Sequence, residues 1–330
     1  MTGLSRSSRR LFTALMMMGL LLYGVGSVSA GSAQETAADV DIVLNGVTVK
    51  LADPLVIVKD RLYAPAARIA ALFGASAVWD SELEEMTINT ALNDTIVLGN
   101  GVPVVYFNEA RYRLDALPFL KDGRVYAPLR QLVEMLHASL QVNPETKAIE
   151  LTTVDAAAVT DDNGLEAITA LIGNSKQALL ERNGIAGEVA IASDMKLKVV
   201  IPSIFDHPAE PFIDTDLMLL AKITMVEAGY EGYEGQLAVA NVIMNRVKDS
   251  RFPDTIKDVI YAGKQFPPAH NGLLDKSKPN ASSLRAAKDA LNGKNNVEDA
   301  VYFFNPKVSR GSFWSSMDVI VTIGHHSFAK

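Results

Sequence analysis

Cysteine is absent from all 330 residues. That removes thiol nucleophiles, thiolate metal sites and disulfides together, so the chain must be held by buried apolar cores. Histidine is scarce. The five present, His137, His207, His270, His325 and His326, show no HExxH or comparable ligand spacing, and a metal site is not expected. Adjacent His325 and His326 are expected in a strand, with their rings on opposite faces. No block of Lys and Arg appears, and the net charge is −7, which argues against nucleic acid as a partner. A length of 330 residues exceeds the roughly 100 to 200 of a typical domain, so two or three units are expected.

Long apolar runs are also missing, apart from Leu11 to Tyr23 near the start. That run follows Arg6, Arg9 and Arg10 and precedes Val28-Ser29-Ala30. The order predicts a secretory signal peptide over residues 1–30, cleaved after Ala30. The run is shorter than the roughly 20 residues of a membrane span, which disfavours the alternative of an uncleaved anchor. Ser8-Arg9-Arg10-Leu11-Phe12 also fits a twin-arginine leader, and both export routes stay open. The mature protein is expected to be exported by either route, meeting the membrane only through its leader.

Small, polar Gly31 to Asp39 predicts a flexible lead-in. Beyond it the chain repeats itself at an offset of 63 residues, which aligns Tyr63-Ala64-Pro65 with Tyr126-Ala127-Pro128. Each copy predicts a strand, a proline opening a helix of about three turns, and a closing hairpin. The hairpin turns fall at Asp80-Ser81-Glu82 and Asn143-Pro144-Glu145, and further turns are signalled at Asn45-Gly46 and Asn100-Gly101. No catalytic side chains cluster in either copy, which suits a scaffold or binding module. The paired Tyr-Ala-Pro-helix pattern over residues 40–154 resembles the stalk-type domain named after the N-terminus of copper amine oxidases. The resemblance implies a wall-binding role and no copper chemistry. Residues 155–213 read as a connector: an Ala/Asp-rich hinge to Gly164, a helix from Leu165 to Arg182, strand-like alternation at Leu197 to Ile201, and a proline-punctuated loop.

The stretch from Asp214 carries the chemistry. Asp214-Thr215-Asp216 predicts a helix start with a capping residue and first-turn acids, and the apolar run after it predicts a core helix. Gly229 is the expected stop. Glu227 then falls in the last turn, where apolar surroundings and the negative end of the helix dipole both disfavour its charge. A glutamate with a raised pKa suits a general acid, although most glutamates simply lie in water. Glu234, just ahead of a second helix, reads as structural. Glu231, in a loop flanked by glycines, stays open between a supporting partner of Glu227 and a solvated residue.

From Glu227-Ala228-Gly229-Tyr230-Glu231-Gly232-Tyr233-Glu234-Gly235-Gln236 through Asn245-Arg246-Val247, Gln265-Phe266, Tyr302-Phe303-Phe304-Asn305-Pro306 and the ending Thr322 to Lys330, residues 214–330 resemble the SleB-type cell wall hydrolases. The resemblance implies a lysozyme-like α+β catalytic domain behind a tandem-repeat α+β stalk-type domain. It also implies a lytic transglycosylase that cleaves peptidoglycan glycan strands between MurNAc and GlcNAc. The glutamate of the family's Glu-Ala-x-x-Glu motif falls on Glu227. Where the family commonly has Arg-Gly and, after Gln-Phe, a serine, this chain has Gly229-Tyr230 and Pro267, which leaves substrate preference open. Glu231, Gln265, Phe266, Tyr302 and Asn305 are the expected substrate contacts, with Phe266 equally readable as a packed anchor. Trp314 suits either sugar stacking or a half-buried structural place. No cofactor is required, and no protein partner is indicated. The competing readings are a muramidase that transfers to water and a wall-binding protein without activity.

Overall fold

The computed structural model describes residues 35–37, 40–160, 164–185, 191–263 and 265–330. The expected leader over residues 1–30 lies outside them. Among the described residues no helix is long and apolar enough to cross a membrane. The architecture is α+β, with a β-rich N-terminal part and a helical C-terminal part that closes on a small sheet.

The repeat is built into one sheet. Strand Arg61–Pro65 pairs antiparallel with strand Arg124–Pro128, so that Tyr63 faces Pro128, Ala64 faces Ala127 and Pro65 faces Tyr126. The two Tyr-Ala-Pro motifs therefore meet about a local twofold axis. Each proline, extended and lacking an N–H, caps the helix that follows: α1 (Ala66–Leu72) and α2 (Leu129–Met135). Both helices are about two turns long, one turn less than expected. Each is followed by a hairpin, Ser76–Asp80 with Glu85–Asn89 and Ala138–Val142 with Ile149–Thr153. The expected hairpin turns are closed alike: Asp80 Oδ1 accepts from the N–H groups of Glu82 and Leu83, and Asn143 Oδ1 from those of Glu145 and Thr146.

Around this symmetric centre the copies diverge. The first hairpin continues into a five-stranded antiparallel meander through Thr95–Gly99, Val104–Phe107 and Ala110–Arg113. The second pairs in parallel with Ile42–Leu44. Asn45 and Gly46 both adopt positive φ and turn the expected hairpin. Asn100-Gly101 is not a two-residue hairpin; that geometry falls instead at Asn108-Glu109, φ 50° and 71°. One apolar core, from Ile42 to Ile204, fills the space between the sheets and helices. Part of the expected flexible lead-in, Glu35–Ala37, pairs as a strand with Leu55–Ile57.

The described residues of the connector are also structured. The single helix expected over Leu165 to Arg182 is two, α3 (Leu165–Ile172) and α4 (Lys176–Arg182), because Gly173 takes a left-handed φ of 65°. Within the expected hinge, Ala157–Ala158 pairs with Lys196–Leu197, and the rest of the predicted strand does not form. Ile168, Leu179, Leu197 and Val159 make a small core of their own. This unit is bolted to the meander by a buried ion pair. Arg182, its side chain fully buried, donates to Asp94 Oδ2 at 2.7 Å, while Lys198 Nζ and Asn108 Nδ2 donate to Asp94 Oδ1 at 2.5 and 2.8 Å. His137, at φ 60°, ties the connector to α2: ring Nδ1 donates to the Val154 carbonyl and Nε2 accepts from the N–H groups of Val199 and Val200.

In the C-terminal part α5 (Asp214–Ala228), α6 (Tyr233–Lys248) and α9 (Ala281–Leu291) pack together, with α7 (Ile256–Tyr261) and α8 (Leu273–Lys276) alongside. Ile213, not an aspartate, holds the cap position of α5, so Asp214 and Asp216 lie inside its first turn, near the positive end of the helix dipole. An antiparallel sheet in the order Tyr302–Phe304, His326–Ala329, Val319–Ile323 closes the unit.

Two outcomes follow for stability. Asp94→Ala leaves Arg182 buried without its partner and should cost about 3–5 kcal/mol in urea unfolding. Burial and the nearby Arg182 charge hold the His137 pKa below its ordinary value of 6.5, so the unfolded chain takes up the proton first. The stability that neutral His137 contributes is complete above about pH 6.5 and is lost as pH falls below it. His137→Asn, which suits the left-handed backbone, should flatten that dependence of the urea midpoint.

Candidate functional site

Helix α5 buries Leu220, Ala221, Ile223, Thr224 and Ala228. Its last turn carries Glu227, half-buried, with Oε1 enclosed and without a hydrogen-bond partner. Among the described residues it is the one carboxylate oxygen in that condition. Burial pushes the Glu227 pKa up. Thr224, one turn earlier on the same face, also keeps a buried Oγ1 unpartnered. Gly229 follows the helix in right-handed geometry, φ −63° and ψ −16°, rather than as the left-handed stop expected. A Cβ there would fall 2.4 Å from the Met225 carbonyl oxygen, so a larger residue would need this last turn to shift.

The next acid is held differently. Glu231 is buried, its side chain 5% exposed, and its Oε1 accepts from both the backbone N–H and ring Nδ1 of His325, at 3.0 and 2.9 Å. His326 Nδ1 lies 3.6 Å from the same oxygen. Burial pushes the Glu231 pKa up, but the two His325 hydrogen bonds and the adjacent histidines hold it below its ordinary value. The slot is closed by two glycines. A Cβ at Gly324 would fall 2.0 Å from Glu231 Oε2, and one at Gly235 would fall 2.8 Å from the Glu231 Cβ. Of the two readings left open, Glu231 is thus no solvated loop residue.

The histidines do not point apart. Gly324, φ 59°, and His325 form the turn between the two closing strands, and only His326 is in a strand. Both imidazoles therefore converge on Glu231. Tyr230 completes the group: its hydroxyl lies 3.3 Å from His326 Nε2, and its ring centroid is 5.8 Å from that of His325. Besides burial, the charges of Glu231 and Glu227 both push the Tyr230 pKa up, which places this phenol within the field of both acids. A glycine inside a strand-like run, as in Ile323-Gly324-His325, was the sequence signal for this turn.

Polar side chains of α6 hold the frame. Gln236 donates to the Glu231 carbonyl and accepts from Ser283 of α9. Asn245 donates to the carbonyls of Glu298 and Ala300, and Arg246 to that of Val301, which delivers the chain into strand Tyr302–Phe304. Glu234 lies in the first turn of α6 and accepts from Asn296, consistent with its structural reading.

The expected substrate contacts separate into two kinds. Phe266 is 1% exposed and sits in the helical core under the Arg246 guanidinium, so it offers no face to a ligand and is corrected to a packing anchor. Gln265 beside it is exposed. Tyr302 is half-buried between Phe252 and Phe313. Asn305 uses Oδ1 to accept from the Lys307 N–H, shaping the turn after the strand. Trp314, on the short α10 (Ser312–Ser315), is half-buried against Phe304, while neighbouring Phe313 is 52% exposed.

A further contact positions the whole site. The outer face of α9 and the residues after it lie on the N-terminal meander. Arg285 pairs with Glu84 at 2.8 Å and Lys288 with Glu85 at 2.6 Å, while Lys294 donates to the Asn100 carbonyl. Arg111 reaches across to the Leu291 carbonyl and Asn292 Oδ1 and covers the Phe212 ring.

Residues 230–329 match the Cell Wall Hydrolase family, beginning three residues after Glu227, and residues 42–160 match the Copper amine oxidase N-terminal domain. The spore cortex-lytic enzymes of Oceanobacillus iheyensis and Bacillus subtilis are 36% and 35% identical over 119 residues, 36% of this chain. The chain spans only 43% and 39% of those relatives' own lengths. The crystal structure of the catalytic domain of the Bacillus cereus SleB protein is 34% identical, covering 37% of this chain and 94% of that one at a TM-score of 0.35. The chain thus carries a C-terminal domain of the cell wall hydrolase family behind a domain of the copper amine oxidase N-terminal type.

Proposed function

We propose that this protein is a peptidoglycan lytic transglycosylase that cleaves the MurNAc–GlcNAc bond with Glu227 as its single acid and base. The observation that carries the reading is the enclosed, unpartnered Oε1 of Glu227 on a helix end where burial favours the protonated form. In the first step Glu227 gives its proton to the bridging oxygen as the bond from the MurNAc anomeric carbon breaks. In the second, the resulting carboxylate takes the proton of the sugar's 6-hydroxyl as that oxygen bonds to the anomeric carbon. The proton returns to Glu227 and the product carries a 1,6-anhydro ring.

Hydrolysis by two carboxylates needs a second free acid. The neighbouring candidates are engaged, Glu231 by His325 and Glu234 by Asn296, which favours the one-acid route. The spore cortex-lytic relatives support peptidoglycan as substrate, in cortex or in vegetative wall. The N-terminal domain is assigned to holding the enzyme on the wall after export.

Mass spectrometry of glycan fragments tests the reaction. Release of 1,6-anhydro ends is expected from the intact chain, and Glu227→Gln should lower the rate by about 100-fold or more. Reducing ends instead would establish transfer to water, and a fully active Glu227→Gln protein would refute the assignment. Because the acid must be protonated, the rate should fall as pH rises through the raised Glu227 pKa.

The same shift has a cost in stability. A carboxyl whose folded pKa is raised stabilises the fold fully only below its unfolded pKa, ordinarily 4.5, and loses that contribution as pH rises. Glu227→Gln should therefore melt at a higher temperature than the parent at pH 7, with the difference vanishing below about pH 4.5.

A further inference from the structure

Tyr230 is a large apolar side chain left 65% exposed beside the acid, yet it is not loose. Its hydroxyl is tied to His326 Nε2 at 3.3 Å, and its ring lies 5.8 and 6.1 Å from the rings of His325 and His326. Behind it, Glu231 anchors His325 directly and faces His326 Nδ1 at 3.6 Å. A carboxylate on that side favours the proton on Nδ1, which leaves Nε2 to accept from the Tyr230 hydroxyl. The phenol oxygen then keeps its lone pairs for a donor outside the protein.

The backbone sets the direction. Gly229 continues right-handed from α5, and the Glu231 N–H donates to the Ala228 carbonyl, so the chain makes one more turn before it leaves the axis. Tyr230 follows Glu227 at helical spacing i, i+3 and lies over the same face. The upward push on the Tyr230 pKa from the Glu227 charge agrees with that closeness. A ring with a fixed tilt and an open face needs little ordering when an apolar sugar face docks on it.

We propose that Tyr230 is a specificity-determining residue that forms the wall of the sugar subsite beside Glu227. Its ring stacks on an N-acetylhexosamine of the glycan, held in place by His326 and, behind it, Glu231. The proposal rests on the reading of Glu227 as the acid for its geometry, but it is tested by binding alone. Glu231, His325 and His326 act as positioning residues; of these four side chains only Tyr230 touches substrate.

The test uses the full chain with Glu227→Gln, so that nothing is cut, and a soluble peptide-free GlcNAc–MurNAc tetrasaccharide followed by calorimetry. Adding Tyr230→Ala should weaken binding about tenfold, and Tyr230→Phe, which keeps the ring and loses the tether to His326, about two- to threefold. Both variants should keep the parent's circular dichroism and melting temperature, since the side chain is mostly in solvent. Equal affinity in all three proteins, or no saturable binding in the Glu227→Gln parent, overturns the proposal. Cleavage by the unsubstituted chain is read separately: binding through Tyr230 without any cleavage refutes the acid assignment and leaves the subsite standing.

Discussion

The enclosure of Glu231 is the contact on which the C-terminal site depends. Its carboxylate joins two segments far apart in sequence, the loop after α5 and the turn of the closing hairpin, through the bonds to His325. It fits only because Gly324 and Gly235 lack a Cβ. A buried carboxylate is costly unless its oxygens are matched, so the fold is committed to this arrangement. Because Glu231 is four residues from Glu227 and adjacent to Tyr230, fixing it fixes the last turn of α5. The acid proposed for the chemistry is left unpaired, while its neighbour is paired for support. Two glutamates four residues apart, one on the last turn of α5 and one in the loop after it, are thus driven to opposite protonation preferences by their surroundings.

Much of this was legible in the sequence, for identifiable reasons. The Tyr-Ala-Pro repeat announced its strand, helix and hairpin because proline and turn chemistry act locally. Glu227 could be ranked above Glu234 because helix ends are written in short patterns of acids, apolar residues and glycine. The pairing of the two Tyr-Ala-Pro strands with each other was not legible, since register between segments 63 residues apart carries no local mark. The convergence of His325 and His326 was hidden for a related reason. Strand alternation sends adjacent rings apart only if both residues lie in the strand, and the left-handed Gly324 removes His325 from it. Phe266 shows the converse: an aromatic in a proline-rich loop looks available to a ligand until tertiary packing buries it beneath Arg246.

The connector teaches the same lesson about composition. Its Ala/Asp-rich start looks like a hinge, yet Ala157–Ala158 pairs with Lys196–Leu197 within the connector, and the buried Arg182–Asp94 bridge holds the unit to the meander. Such a bridge is weak evidence for net stability, because desolvating both charges offsets most of their attraction. It does specify geometry, since Arg182, Lys198 and Asn108 must all converge on the one buried carboxylate of Asp94. The segment after it runs along the meander edge, where Ala209 donates to the Arg111 carbonyl and Arg113 to that of His207, and so enters α5 from a fixed point.

That fixed entry bears on what the N-terminal domain does for the site. Helix α9 packs one face against α5 and α6 and presents Arg285 and Lys288 from the other to Glu84 and Glu85. Only one helix therefore separates the meander from the helix that bears Glu227. Asp289, on α9, is buried and accepts from the Tyr233 hydroxyl at 2.5 Å, within reach of Arg285 and Lys294. The charges that meet the meander thus also face an acid inside the helical core, and burial raises its pKa even against the Tyr233 hydrogen bond and these cations. Removing the N-terminal domain would expose those cations to water and weaken their hold on Asp289. The N-terminal domain is therefore part of the electrostatic environment of the helical unit, through Glu84 and Glu85 on the meander and the cations of α9 that meet them.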